Sequence, residues 1–507
     1  MNYPFWDIGI GYGPFMAFLA VFHVFVSHFA IGGGLYLVLA EISARKTNDA
    51  ARLTYLEGLS KFFVLTTLVA GAVTGVGIWF IIGLLNPAAT EVLIHNFVWG
   101  WATEWTFFVM EITAAIIYYY GWKRMSTRAH LTVGWIYFIA AWLSLFIING
   151  IVTFMLTPGE WLASGSFWDG FFNPTMWSSL VFRTGVCVML AGLLSLLVAS
   201  RLQQGTTRTS VIRYNAVWGL VGLVIMAPSF FWYFNSIPAD IRTAAAEMMP
   251  TVMARLDGVY WFAIPLAVLL LFGFLLPKAY HFVIGVAVIV LGLVWFGQYE
   301  WMREAIRKPY VIYGYMYGNA LEVAQVGAYE SDGLLPHLAF KTNDPGADLF
   351  RHACRSCHTL DGYKALKPRF DGTDEEFIKQ MVKGVGAMRG NMPPFLGTPD
   401  EAGLIAAHLY KEIDHRPMSQ IYGLSGVALG EKVYETRCAS CHVLGGYNDK
   451  TASLVGLTED DYNDLLDMAG ELGEEMPAFT ASAEDRAALI QFLMTLKEGG
   501  SNESAGL

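Results

Sequence analysis

Long apolar runs constrain this chain more than any other feature. They lie near residues 13–40, 60–85, 98–121, 131–156, 176–200, 213–234, 258–276 and 280–298, and each has the roughly 20 residues that a helix needs to cross a bilayer. Lipid offers no partner for backbone N–H and C=O groups, so spans built of such runs have to be helical. The expected fold is therefore all-α, a polytopic transmembrane bundle of about eight helices. Composition agrees, with 55% hydrophobic residues against 15% charged, the profile of an integral membrane protein. The opening "MNYPFWDIGIGYG" has neither a basic stretch nor a small-residue cleavage site before the first run. No cleaved leader is expected, and the first helix acts as its own anchor.

Loop charges give an orientation. Arg45, Lys46, Arg52 and Lys61 lie between the first two runs, Lys123, Arg124 and Arg128 between the third and fourth, and Arg201, Arg208 and Arg213 between the fifth and sixth. Loops 86–97 and 157–175 contain no Lys or Arg. The positive-inside rule then puts the N-terminus outside, and eight crossings return the C-terminus to the same side. The formal net charge of −10 belongs to the tail: residues from 341 onward carry 16 basic and 26 acidic groups, while residues 1–340 carry 17 of each. Such a balance gives nucleic acid nothing to bind. The expected organisation is a membrane domain over 1–312, a Gly- and Pro-punctuated linker over 313–343, and two small α-helical domains over 344–418 and 425–500.

Both small domains carry C-x-x-C-H, as "CRSCH" (Cys354, Cys357, His358) and "CASCH" (Cys438, Cys441, His442). This is the pattern of covalent haem c attachment, with two thioether bonds and the adjacent His as an axial ligand. A Met at the other axial position raises the potential; Met392 in "NMPPF" and Met476 in "EMPAF" are the candidates, with Met388 a rival to Met392. A zinc site would want further Cys or His ligands at close spacing. The tail resembles two tandem class I cytochromes c, whose haems are attached outside the cytoplasm in bacteria. That places both termini on the periplasmic side of the cytoplasmic membrane, independently of the loop charges. The second domain is the acidic one, with 5 basic and 15 acidic residues from 425 onward; "LTEDDYNDLLDMAGELGEE" reads either as a steering surface for a basic partner or as a solvated face.

Ionisable residues inside the spans are few, and each is a functional candidate: His23, Glu104, Glu111, Arg183, Glu304 and Arg307. Glu104 and Glu111, seven apart, share a helix face, and buried carboxylates so placed suit proton passage. The segments "VFHVFVSHFAIG", "GAVTGVGIWFIIG", "TEWTFFVMEITAAIIYYYGWKR" and "IINGIVTFMLTP" resemble subunit I of the cytochrome bd quinol oxidases, and "EAIRKPY" is similar to that family's E-x-G-R-x-P-W signature, with Tyr310 for Trp. The likeness spans residues 8–200 and 295–318; 210–290 is alike only in hydropathy. It implies axial ligation of a high-spin haem pair, of b or d type, by His23 and Glu304, a signature role for Arg307, and a proton route through Glu111. Glu104 is one position out of register with a second such glutamate. "YEWMREAIRKPYVIYG" also puts Arg303, Arg307 and Lys308 at an outer helix end, against the positive-inside trend. Two readings fit: the three cations hold haem carboxylates, or they reach outer headgroups.

The resemblance fails at the family's electron entry. Arg183 stands in "VFRTG" where the family has the His ligand of its low-spin b haem, Met253 falls outside the expected seventh span, and the long quinol-binding loop is reduced to about 235–257. Arg183 then either fills the vacated space or binds a haem carboxylate. The simplest function is a bd-like oxidase subunit that takes electrons from a soluble c-type cytochrome through its two c haems for O2 reduction. One alternative is a quinol-oxidising module feeding soluble cytochromes as acceptors; another is a non-catalytic electron-wiring subunit. The family also implies a second membrane subunit or a larger respiratory complex. His28, five residues after His23, lies about 140° round the helix and reads as a further ligand or as a packed polar residue. "GIGYG" and "IGGG" read as close-packing sites, since neither follows a strand.

Overall fold

The computed structural model describes residues 8–388, 391–473 and 475–497. Residues 1–7, part of the opening segment, and 498–500, the end of the second small domain, lie outside the described residues. Each apolar run becomes one helix of the membrane part: α1 (Tyr12–Lys46), α2 (Ala50–Leu85), α3 (Val98–Gly121), α4 (Thr127–Phe154), α5 (Met176–Ala199), α6 (Thr206–Ser236), α7 (Pro250–Leu275) and α8 (Phe282–Ala305). Among the described residues seven of these are long and apolar enough to cross a membrane. The exception is α3, whose Trp, Tyr and two Glu residues dilute its hydropathy over a full 24-residue length. Met253, expected outside the seventh span, falls in the first turn of α7 because Pro250 starts that helix.

The most enclosed helix is α5, which packs against α1, α4, α6 and α8. Glycines set how closely. A Cβ on Gly192 would lie 2.4 Å from Gly219 N on α6, and one on Gly222 would lie 2.4 Å from Met189 N. A Cβ on Gly32 would lie 1.8 Å from the Cys187 carbonyl oxygen. Small residues that bring backbones together are the usual means of packing helices in lipid, where apolar burial gives no drive. The "IGGG" motif therefore works as expected, and Cys187 is a small buried core residue.

One irregularity was not legible in the sequence. Leu65–Gly71 in the middle of α2 winds as a π-helix, a distortion that frequently marks functional positions.

After α8 the chain forms a short antiparallel hairpin, Tyr310–Ile312 with Met316–Tyr317, and enters the tail. The first small domain contains α9 (Pro345–Ala353), α10 (Glu375–Lys383) and α11 (Pro399–Tyr410); the second contains α12 (Gly426–Arg437), α13 (Glu459–Asp467) and α14 (Ala483–Leu493). The internal repeat extends to a buried carboxylate. Glu401 accepts hydrogen bonds from Leu334 N and Leu335 N at 2.8 and 2.7 Å, and Asp485 accepts from Met418 N and Ser419 N at 3.1 Å each. Each fastens the start of a short helical turn that precedes its domain, Leu335–His337 and Met418–Tyr422. Leu321, Tyr329 and Leu334, expected in the linker, are buried in the first domain's core.

Candidate haem-binding sites

The two C-x-x-C-H loops follow α9 and α12, and their geometry matches. His358 Nδ1 lies 3.0 Å from the Lys364 carbonyl oxygen, and His442 Nδ1 lies 3.1 Å from that of Asn448, six residues on in both cases. Donation from Nδ1 would fix the ring and present Nε2 to a metal, as is usual for an iron-binding His. Burial lowers the pKa of His358 to about 4, which keeps it in the neutral form that binds metal. Cys354 and Cys438 are thiols whose pKa burial pushes up to about 12. On the first domain's distal side, Met388 is buried in the core and Met392 is half-buried against it; Met476 is half-buried in the second. These residues fit haem c.

The two sites adjoin. Cys441 packs against the first domain's core, a cluster that also includes Met388 and Met392, Tyr447 OH donates to the Ala387 carbonyl at 3.3 Å, and a Cβ on Gly384 would come within 3.1 Å of the Glu475 carbonyl, next to Met476. Arg437 ties the domains further, donating to the Arg369 and Asp371 carbonyls at 3.2 and 2.8 Å.

The first domain in turn sits on the entrance to α1. Arg355 donates to the Ile8 carbonyl at 2.9 Å and Tyr363 N to that of Ile10 at 3.1 Å. Gly11 (φ +93°) and Gly13 leave room for this: a Cβ there would lie 2.9 Å from Thr359 and 2.6 Å from the Tyr363 ring. The "GIGYG" motif is thus a docking strip for the first haem-attachment loop.

His23 lies 11 residues into α1 and faces the π-helical stretch of α2. Its Nδ1 is 3.1 Å from both the Gly71 carbonyl oxygen and Thr74 Oγ1, and a Cβ on Gly75 would crowd the ring at 3.0 Å. Among the described residues Nε2 has no hydrogen-bond partner, which fits an axial ligand held by its other nitrogen. Glu304 pairs with Arg307 at 2.5 Å and Lys308 at 3.3 Å. Buried Arg307 also touches Met155 Sδ at 3.2 Å, and among the described residues its Nε has no acceptor, a donor suited to an anionic group. No hydrogen bond or ion pair joins His23 to Glu304 among the described residues.

His28 and Arg183, separate in the sequence reading, are brought together. Arg183 Nη1 lies 3.4 Å from His28 Nε2, and Arg183 Nη2 pairs with Glu300 at 3.2 Å. Glu300 is held by Arg303 as well, at 2.9 Å, and His28 Nδ1 lies 2.6 Å from the Val24 carbonyl. Glu300 is a residue that sequence reasoning missed. It stands one turn before Glu304, among cations that should have prompted a search for their counter-ions. Glu104 and Glu111 make separate contacts, with Ser144 at 2.9 Å and Tyr137 at 3.0 Å.

A helical membrane bundle carrying paired C-x-x-C-H domains defines a class, the membrane-anchored respiratory electron-transfer haemoproteins. Residues 15–235 match the family described as cytochrome bd terminal oxidase subunit I, and residues 341–409 and 426–493 match that described as cytochrome c oxidase, cbb3-type, subunit III. The chain thus joins a cytochrome bd subunit I domain to two cbb3-type cytochrome c domains. Among solved structures it is similar to the bd oxidase from Geobacillus thermodenitrificans, at 17% identity and a TM-score of 0.52, over 67% of this chain and 96% of that one. No curated protein matches its sequence. The two matches indicate an oxidoreductase and imply haem c in the tail and haem in the membrane part.

Proposed function

We propose that this chain is the subunit of a bd-like oxidase in which c haems have replaced quinol as the electron input. The observation that carries the proposal is the seating of the first haem-attachment loop on the N-terminal end of α1, the helix that bears His23. With the second cytochrome domain packed on the first, the protein offers one line of approach: a soluble c-type cytochrome, the second domain, the first domain, and then the membrane. The positive-inside pattern and the attachment of c haems outside the cytoplasm support a periplasmic tail. Bound haem supplies electron transfer in the tail and O2 reduction in the membrane. His358, Met392, His442, Met476, His23 and Glu304 would hold the irons, and Arg307 would hold haem carboxylates. Arg303 is engaged by Glu300 and Lys308 by Glu304, so local carboxylates account for much of the outer positive charge. Glu111 would hold the proton that the reaction consumes.

The ion pair of Arg183 with Glu300, in place of a haem-ligating His, supports loss of the low-spin b haem. The test is O2 uptake by the purified complex with reduced cytochrome c or with quinol as donor. Uptake with cytochrome c alone supports the reading; uptake with quinol alone overturns it.

A further inference from the structure

Both cytochrome domains dock through the same loop. Tyr363 and Tyr447 hold matching places, each five residues after the His of C-x-x-C-H. Tyr363 N donates to the Ile10 carbonyl at 3.1 Å, and its ring fills the space that a Cβ on Gly13 would need. Tyr447 OH donates to the Ala387 carbonyl of the first domain at 3.3 Å. Each domain thus applies its haem-attachment loop to the next body, the second domain to the first and the first to the membrane part.

The element that receives the second domain is repeated as well. In the first domain α10 is followed by Gly384, a single helical turn, Val385–Ala387, and Met388. In the second, α13 is followed by Met468, the turn Ala469–Glu471, and Leu472. Gly384 and Met468 each lie 30 residues past the first Cys of their motif. The first domain's copy is covered. A Cβ on Gly384 would meet the Glu475 carbonyl at 3.1 Å, and Met388 is only 7% exposed. The second domain's copy is open, with Met468 47% and Leu472 52% exposed. A Cβ on Gly470 would lie 3.2 Å from Ala478, so this open turn rests on the loop that carries Met476. A head-to-tail contact that does not close on itself leaves one end free, and the turn Met468–Leu472 is that end.

The free end also differs in charge. Where the first domain has Gln380, Lys383 and Ala387, the second has Asp464, Asp467 and Glu471 at matching positions, all three exposed. Asp467 pairs with Arg486 at 2.8 Å, whereas Asp464 and Glu471 make no ion pair among the described residues. An apolar centre within a charged rim is the usual anatomy of a contact surface, and a patch of one turn suits the small interfaces of transient electron-transfer encounters. A second copy of this chain does not fit, because both of its attachment loops are already engaged and its own second domain is acidic.

We propose that the turn Met468–Leu472 is the docking site of a soluble c-type cytochrome with a basic surface around its haem-attachment loop. The partner seats that loop on the second domain as the second domain seats its own on the first. The partner loses one electron and the second domain gains it; no bond forms and no proton moves. This deepens the reading under Proposed function and takes the direction of flow from it.

The test uses the full purified complex and two probes, a basic mitochondrial-type cytochrome c and an acidic bacterial one of similar size. Binding is measured with every haem oxidised, and electron transfer by stopped flow without O2. Wild type binds the basic probe at least about tenfold more tightly than the acidic one, and the advantage shrinks as salt rises past ~0.15 M, where charges are screened beyond about 8 Å. Glu471→Lys slows association by about threefold or more, and Asp464→Lys added to it by about tenfold. Met468→Ser with Leu472→Ser speeds dissociation. Glu330→Lys, at an exposed position outside the second domain, changes neither rate, and haem c content stays at the wild-type value throughout. If the variants weaken binding in this way but wild type consumes no O2, the docking site stands and the oxidase reading falls. O2 uptake with the basic probe, at rates and affinity that the variants leave unchanged, overturns the docking site and leaves the oxidase reading intact. No binding of the basic probe, or equal or tighter binding of the acidic one, overturns the docking site as well.

Discussion

Replacing Arg183 by Gln probes the site where this chain departs from the bd family. Arg183 and Glu300 are both buried and 3.2 Å apart. At an effective dielectric of about 20, unit charges at this 3.2 Å separation attract by about 5 kcal/mol, most of it offset by the cost of stripping both of water. Removing one partner of a buried pair costs about 3–5 kcal/mol because the other is left uncompensated. Arg303 stays on Glu300 at 2.9 Å, which puts the expected loss at the lower end, about 3 kcal/mol. For a membrane domain of about 300 residues that corresponds to about 5 °C in Tm. The assay is thermal unfolding of R183Q, E300Q and the double variant in one detergent, with haem spectra recorded in parallel. The double variant is expected to lose at least about 1 kcal/mol less than the two single losses combined, since each partner's penalty is shared. Additive losses, or an R183Q loss below about 1 kcal/mol, would refute the pairing argument. A membrane haem band that disappears in R183Q without a change in Tm would make Arg183 a haem-binding residue instead of a space-filling one.

Other outcomes follow from the same geometry. Replacing Cys354 and Cys357, or Cys438 and Cys441, by Ala removes one covalent haem each, so a haemochrome assay reads half the wild-type haem c. Met392→Ala lowers the first haem's potential if Met392 is its ligand, and redox titration against Met388→Ala decides between the two. Arg355→Ala removes the contact with the Ile8 carbonyl; stopped-flow reduction by cytochrome c then shows normal reduction of the tail and slower reduction of the membrane haems. His23→Ala abolishes a membrane haem band while the c haem spectrum stays intact.

The eight long helices were legible as apolar runs, and seven of them, α3 excepted, meet the local rule that lipid imposes, about 20 apolar residues per span. The C-x-x-C-H loops were legible for an equally local reason, since thioether attachment and ligation come from five consecutive residues. The glycines of "IGGG" and "GIGYG" announced close approach, but not that Gly32 would meet α5 or that Gly11 and Gly13 would seat a cytochrome domain. Glu300 could not be read as it now stands. Whether a buried charge is a ligand, a proton carrier or a counter-ion depends on groups more than a hundred residues away in the chain, 117 for Arg183 and Glu300 and 155 for Arg183 and His28, and only helix packing brings them within hydrogen-bond reach. The π-helical turn that presents Gly71 to His23 has no Pro within it. Sequence by itself thus determined the long helices and the haem-attachment motifs. The tertiary structure decided which ionisable groups meet, because desolvated charges are placed by their partners and not by their neighbours in the chain.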